Sequence, residues 1–192
     1  MNNDILSSLR PALVMSTLFA LLLGVAYPLA ITGIGQIVFP NQANGSLVMQ
    51  DGRVIGSTVV GQAFSSDRYF QTRPSAAGYD GLASSGSNLG PTSKVLADRV
   101  KADLVRTATP GRPVPPDLVA ASASGLDPHI SPEAALYQVS RVARARHLDV
   151  AGLNRLVAAA VEQPLLGFLG EPRVNVFELN RRLDRLDAKP AR

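Results

Sequence analysis

The sequence predicts an α+β protein: one N-terminal transmembrane helix followed by a single extracytoplasmic α+β domain. Three observations lead there. No Asp, Glu, Lys or Arg occurs from Pro11 to Gln50. The later residues carry both the period-2 alternation of strands and the i, i+3, i+4 periodicity of helices. With 192 residues, the chain has room for one compact domain beside the apolar segment. The expected divisions are 1–11 for a short cytoplasmic N-terminus, 12–36 for the transmembrane helix and 37–192 for the outer domain.

The stretch "ALVMSTLFALLLGVAYPLAITGIGQIVF" is almost wholly apolar. At about 1.5 Å per residue, about 20 to 25 of its residues as a helix cross a hydrocarbon core of about 30 Å. A cleaved signal is disfavoured, because the run exceeds an ordinary apolar region of about 7 to 15 residues and no A-x-A site closes it. Arg10 lies on the short side of the span, and the far side offers no cation until Arg53. That asymmetry predicts a cytoplasmic N-terminus and an outer domain beyond the membrane. The lack of cysteine is compatible with an oxidising compartment.

Within the span, Ala12, Ser16, Ala20 and Gly24 recur every four residues, a stripe that lets a partner helix approach closely. Pro28 cannot donate to the carbonyl of Gly24, so the helix is expected to kink there or to have that carbonyl satisfied by a neighbour. Tyr27, Thr32, Gly33 and Gly35 suggest a less regular outer end.

After the span, Asp51-Gly52 between alternating segments predicts a hairpin. Residues 68–93 are dense in Gly, Ser, Pro and Asn and read as either an ordered loop or a linker. A helix over about 92–107 follows, with Val95, Leu96, Val100, Leu104 and Val105 on one face. "TPGRPVPPD" breaks it. In "SPEAALYQVSRVARARH" the predicted buried stripe is Leu136, Val139, Val142 and Ala143. Arg141, Arg144 and the polar end of Gln138 point elsewhere. A further helix has Val150, Leu153, Leu156, Val157, Ala160 and Val161 inward and ends at Pro164. "RVNVF" reads as a strand and "ELNRRLDRLD" as a closing helix.

Several chemistries are weakened by the pattern. "SASGLDPHIS" gathers Ser, Asp and His, which raises a membrane-anchored hydrolase using His129. The segment has neither a nucleophile elbow nor an evident oxyanion hole, and Ser131-Pro132-Glu133 reads instead as a helix start. "GSNLGPTSK" lacks the G-K-[ST] ending of a phosphate loop. His129 and His147 have no metal-ligand spacing. A helix-turn-helix over 132–162, with Arg141, Arg144 and Arg146 on phosphates, gives a membrane-tethered regulator, but it requires a cytoplasmic domain. The net charge of +4 therefore points to a plain solvated surface first, and to lipid headgroups or an acidic subunit surface before nucleic acid.

Taken together, "YP" at 27–28, "ANGS" at 43–46, "IGS" at 55–57, "GQAF" at 61–64 and "YFQTRPSA" at 69–76 form one collinear set. It continues with "GSNLGP" at 86–91, "SGLDPHISPEAA" at 124–135, "QVSRVARAR" at 138–146 and "VNVFELN" at 174–180. In this set the chain resembles the C subunit of the Kdp potassium-transporting ATPase, the KdpC family. Ser85 stands where the family has glycine in "SGGSN", and Ser93 where asparagine often follows "GPT".

The resemblance implies a non-catalytic subunit of an ATP-driven potassium importer in the bacterial inner membrane. Its implied partners are a channel-like potassium-translocating subunit, a P-type ATPase subunit, a small single-span subunit and membrane lipids, with no nucleic acid. It also implies a catalytic chaperone that raises ATP affinity, with no tightly bound cofactor and ATP shared with the ATPase subunit. The nucleotide link falls on Gln138, with Ser124 and Gly125 before it, as a nucleotide or partner contact. Charge asymmetry puts Gln138 outside while ATP is inside, which favours a buried packing role.

Overall fold

The computed structural model describes residues 2–187; Met1 and residues 188–192, the extremes of the expected N-terminal segment and outer domain, lie outside the described residues. The chain forms two compact units, the first running to Leu47 and the second beginning at Val48. The first unit is helical: α1 (Asn2–Leu21), a wide π turn (Leu22–Ala26), α2 (Tyr27–Val38) and the short α3 (Pro40–Ala43). Ser7–Val38 is long and apolar enough to cross a membrane.

The irregularity in this segment lies before Pro28 rather than at the expected outer end. Tyr27 N–H donates to the carbonyl of Leu22, five residues back, so the helix widens just where the proline ring needs room. Tyr27, Thr32, Gly33 and Gly35 all lie within regular α2. Pro11 is likewise inside α1, so helix also runs through the predicted polar lead. Beyond α2, Asn44 donates to Gln36 Oε1 at 3.0 Å and to the carbonyl of Pro40 at 2.6 Å, closing the turn around α3.

The second unit is α+β. β1 (Leu47–Gln50) and β2 (Arg53–Ser57) pair as a hairpin. Asp51 and Gly52 have φ of 50° and 75°, the double positive φ of the predicted tight turn. Residues 58–93 form an ordered loop, fixed by turns and by Phe70, which is fully buried.

α4 (Lys94–Thr107) starts where Ser93 Oγ accepts from Leu96 N at 3.4 Å. Its predicted apolar face is not buried: Val95 and Val105 are 65% and 79% exposed. Gly111, at φ 75°, turns the chain toward a 3-10 turn at Pro116–Leu118.

A three-stranded antiparallel sheet has the order β3 (His129–Ile130), β5 (Arg173–Asn175), β4 (Val161–Glu162). Its register sets His129 opposite Asn175, and Val161 opposite Val174. Against it pack α5 (Pro132–Arg146) and α7 (Val176–Asp187), and α6 (Val150–Ala158) packs on those two helices. Val139, Val142, Leu153, Val157, Val174, Val176, Leu179 and Leu183 form the centre of the core with Phe70.

Several predicted details change. Leu136 and Val150 are 40% and 46% exposed instead of inward; on α5, Ala134, Ala135 and Tyr137 are buried beside the expected Val139, Val142 and Ala143. α6 stops at Ala158, six residues before Pro164, because Val161 leaves the helix to pair with Val174. The predicted strand 173–177 ends at Asn175, whose Oδ1 accepts from Glu178 N at 3.1 Å and caps α7. Val176 and Phe177 are thereby helical.

Candidate functional site

α5 is the element on which the second unit is built, and its ends follow directly from sequence. Ser131 Oγ accepts from Ala134 N at 3.2 Å, Pro132 occupies the first turn, and Glu133 places negative charge there. At the other end His147 adopts a left-handed φ of 56°, while Leu148 N–H reaches the carbonyl of Ala143 at 3.0 Å. Gln138, Arg141 and Arg146 thus leave one rigid helix at fixed angles.

Their polar ends converge on residues 67–71. Gln138 Oε1 accepts from Gln71 N at 2.8 Å, and its Nε2 donates to the carbonyl of Gln71 at 3.0 Å. Asn180 on α7 does the same to the preceding residue, accepting from Phe70 N and donating to Phe70 O, both at 2.9 Å. Arg141 donates to the carbonyls of Asp67 at 2.9 Å and Tyr69 at 3.0 Å. Arg146 Nε donates to the carbonyl of Arg68 at 2.6 Å. The segment "DRYFQ", a turn at Asp67–Tyr69 followed by Phe70 and Gln71, therefore has side chains where a sheet strand would have a neighbouring backbone.

The two amides are 4% and 2% exposed, so this bonding is what makes their burial tolerable. The polar end of Gln138 points inward rather than away from the buried stripe of α5, in keeping with the packing role favoured for it. Its oxygen also accepts from Arg141 Nη2 at 2.7 Å and its nitrogen donates to Ala134 O at 3.3 Å. Both lone pairs and both N–H groups are used.

Arg146, predicted only as a rival phosphate contact, is buried. It bonds Asp184 Oδ1 at 2.7 Å and lies 4.6 Å from the centre of the Tyr69 ring. Burial pulls the Arg141 guanidinium below the usual arginine range, opposed by the charge and bond of Asp67. Arg141 and Arg146 are committed to carbonyls, so the helix-turn-helix reading loses two of its three phosphate contacts; Arg144 is exposed on α5.

Ser124 and Gly125 sit apart from Gln138, in the loop that leads into β3. Gly125 has φ +69°, and its carbonyl accepts from Ser75 Oγ at 2.7 Å. Ser124 Oγ accepts from Leu126 N at 3.1 Å, and its carbonyl accepts from Ser84 Oγ at 2.9 Å. Ser122 N–H donates to Pro74 O at 2.9 Å, so the 122–131 loop is tied to 74–85.

His129 is flanked by carboxylates: Nδ1 is 3.5 Å from Asp127 Oδ1 and Nε2 is 4.0 Å from Glu162 Oε2. Among the described residues no serine or threonine hydroxyl bonds to it, so no nucleophile–base pair exists there. Burial acts to raise the Asp127 carboxyl. Hydrogen bonds from the His129 side chain and backbone, and the charges of His129 and Arg73, outweigh it and leave the group below its ordinary range.

A cavity of about 590 Å³ opens beside the clamp, lined by Gln138 and Arg141 from α5, by Arg99 and Asp103 from α4, and by residues of the 63–79 loop. Neither Ser124 nor Gly125 lines it. Tyr79, on its wall, is held by Thr72 Oγ1 and donates to the carbonyl of Arg73; burial pushes its hydroxyl upward. Among the described residues no cluster of three or more metal-ligating side chains occurs.

Ala12, Ser16, Ala20 and Gly24 are all exposed along the apolar helix. Gly24 falls inside the wide turn, where an added Cβ would meet nothing within 4 Å. In the second unit, the turn between β4 and β5 presents Leu165, Leu166, Phe168 and Leu169, each at least half exposed. The turn is preformed: Leu169 N donates to Leu165 O at 3.0 Å and Gly167 N to Pro164 O at 2.9 Å. Sequence reading missed this surface, although "PLLGFL" between Gln163 and Gly170 is six residues without charge.

Similarity to known proteins runs through both units. A family described as "KdpC: K+-transporting ATPase, c chain" matches residues 9–185. A protein of Methylobacterium nodulans is 54% identical over 200 residues, covering 96% of this chain and 100% of its own. A protein of Caulobacter vibrioides strain NA1000 / CB15N is 55% identical over 184 residues, covering 93% of each. One of Bradyrhizobium diazoefficiens is 52% identical over 200 residues, covering 96% of this chain and 100% of its own. All three are named potassium-transporting ATPase KdpC subunit. A single apolar helix followed by an α+β unit, matched along nearly all its length, makes this chain a member of the KdpC family of K+-transporting ATPase c chains.

Proposed function

We propose that the chain is a non-catalytic accessory subunit of an ATP-driven potassium import complex in the bacterial inner membrane, with its N-terminus cytoplasmic and its α+β unit periplasmic. Its partners are the channel-like potassium-translocating subunit, the P-type ATPase subunit, a small single-span subunit and surrounding lipid. It stabilises that assembly and raises the ATP affinity of the ATPase subunit. The small-residue stripe Ala12, Ser16, Ala20 and Gly24, on α1 and the wide turn after it, is the docking face for neighbouring spans.

The observation that carries this reading is the family match over residues 9–185, which takes in the apolar helix and the outer unit together. The bare apolar turn at 165–169 and the uncovered face of α4 support it, since a solitary domain gains nothing from exposing such surface. Gln138 has no bond left to offer a nucleotide, so the effect on ATP affinity runs through conformation: the subunit binds one state of the pump more tightly than another.

The test is to assemble the complex with and without this chain and measure the ATP concentration giving half-maximal potassium-dependent hydrolysis. Without the chain, that concentration rises or the other subunits fail to copurify. An unchanged ATP dependence with unchanged subunit composition refutes the role. Val150→Cys, at an exposed site in a cysteine-free chain, reports topology by labelling with an impermeant maleimide in intact cells.

A further inference from the structure

Charged nitrogens that are buried without an acceptor are uncommon in folded proteins, and each requires an account. Two occur among the described residues, Arg73 Nε and Arg99 Nε. Both residues line the same cavity, Arg73 from the 63–79 loop and Arg99 from α4. Arg106 and Arg141 line it as well, so four arginines face two aspartates, Asp67 and Asp103.

The carboxylates do not neutralise this set. Asp103 is taken by Arg106 at 2.9 Å and Asp67 stands 3.5 Å from Arg141. Arg73 has Asp127 at 3.5 Å through Nη1 only. Arg99 has no carboxylate partner among the described residues.

A single water accepts from these donors but leaves the charge excess in place. An anion answers both. A guanidinium presents a planar fork of donors that matches phosphate oxygens in pairs, and two forks on separate walls suit a tetrahedral anion better than a flat carboxylate. Thr72 and Ser75 add hydroxyls to the lining, while Phe64, Leu118 and Tyr137 supply an apolar wall for an organic body. About 590 Å³ is an ordinary volume for a small-molecule site.

We propose that the cavity between α4, α5 and the 63–79 loop binds a phosphate group, with Arg73 and Arg99 as its principal donors. The group belongs either to a free phosphate compound or to an anionic lipid headgroup. The inference goes beyond the accessory-subunit reading and does not rest on it.

The test uses the full chain in a neutral detergent, followed by circular dichroism on heating, with inorganic phosphate exchanged for chloride at constant ionic strength. At tenfold the half-saturating concentration, phosphate raises Tm by about 3–5 °C. Arg99→Gln abolishes the rise. This variant is chosen because α4 has no buried residues, so its Tm without phosphate, compared with the parent's, verifies that it folds. A second arm compares nanodiscs of phosphatidylcholine with nanodiscs containing phosphatidylglycerol. Extra stabilisation by phosphatidylglycerol that Arg99→Gln removes assigns the headgroup; a response to inorganic phosphate alone assigns a free phosphate compound. No response in either arm, or an equal response in Arg99→Gln, overturns the site.

Discussion

Replacing Asn180 by leucine separates the hydrogen-bonded clamp from ordinary core packing. Leucine is close in size and apolar, so packing against Phe70 survives while both bonds vanish. Phe70 N–H and C=O, each at 2.9 Å from the amide, are then left in a fully buried place. An unmatched buried group costs about 1–3 kcal/mol, and removing the desolvated amide itself returns part of this. The net loss is about 3 kcal/mol. For a unit of this size about 1 kcal/mol moves Tm by about 3 °C, so Asn180→Leu unfolds about 9 °C below the parent. Asn180→Asp keeps the acceptor for Phe70 N–H but turns an oxygen toward Phe70 O, and near neutral pH it is at least as damaging. Circular dichroism melting of the full chain measures the loss, and amide exchange localises it, because protection of the Phe70 and Gln71 amides falls first. A Tm within about 3 °C of the parent, with Phe70 protection unchanged, would refute the idea that side-chain amides hold this segment.

Two further outcomes follow from the loop entering β3. Asp127→Asn lowers Tm by about 3–6 °C near neutral pH, because His129 and Arg73 stabilise the carboxylate. The folded pKa is depressed, so this stability is present above the unfolded value of about 3.9 and is lost as pH falls through the folded value. Parent and variant therefore converge below about pH 4, and a gap that widens with acid contradicts the assignment. Gly125→Ala places a Cβ 2.7 Å from the carbonyl of Ser85 at φ +69°, costing about 2 kcal/mol or more, and melting reads it directly. A melt indistinguishable from the parent would mean the loop shifts freely.

Features encoded within a few neighbouring residues were legible from sequence. Asp51-Gly52 announces its turn because both residues tolerate positive φ. Ser131-Pro132-Glu133 announces the start of α5 because cap, ring and charge act on the same turn. The family resemblance likewise rests on contiguous motifs. The end of β5 was not legible: "VNVF" has strand propensity, and only the bond from Glu178 N to Asn175 Oδ1 converts it to helix at Val176. The clamp was hidden for another reason. Phe70 and its partner Asn180 are 110 positions apart, and Gln71 and Gln138 are 67 apart. A polar residue on a helix reads as outward unless its acceptor is known. Burial of Leu136, Val150 and the α4 face depended on partners that periodicity cannot supply.

The distribution of satisfied and unsatisfied groups separates what this unit does for itself from what it offers others. Inside, amides and guanidinium groups are matched to backbone groups across 67 to 110 positions of sequence, which makes the 67–71 segment, α5 and α7 move as one body. Two kinds of group are left unmatched. Among the described residues, apolar side chains stand bare along the membrane-length helix, on α4 and at 165–169, and Arg73 Nε and Arg99 Nε beside the cavity have no acceptor. A rigid body with external valences influences a neighbour only through the difference in its affinity for that neighbour's states. About 1.4 kcal/mol of such difference is a tenfold change in affinity, and covering a few large apolar side chains in one state and not another supplies it. An accessory subunit therefore needs no catalytic residue of its own. What it needs is a surface whose burial depends on the conformation of its partner.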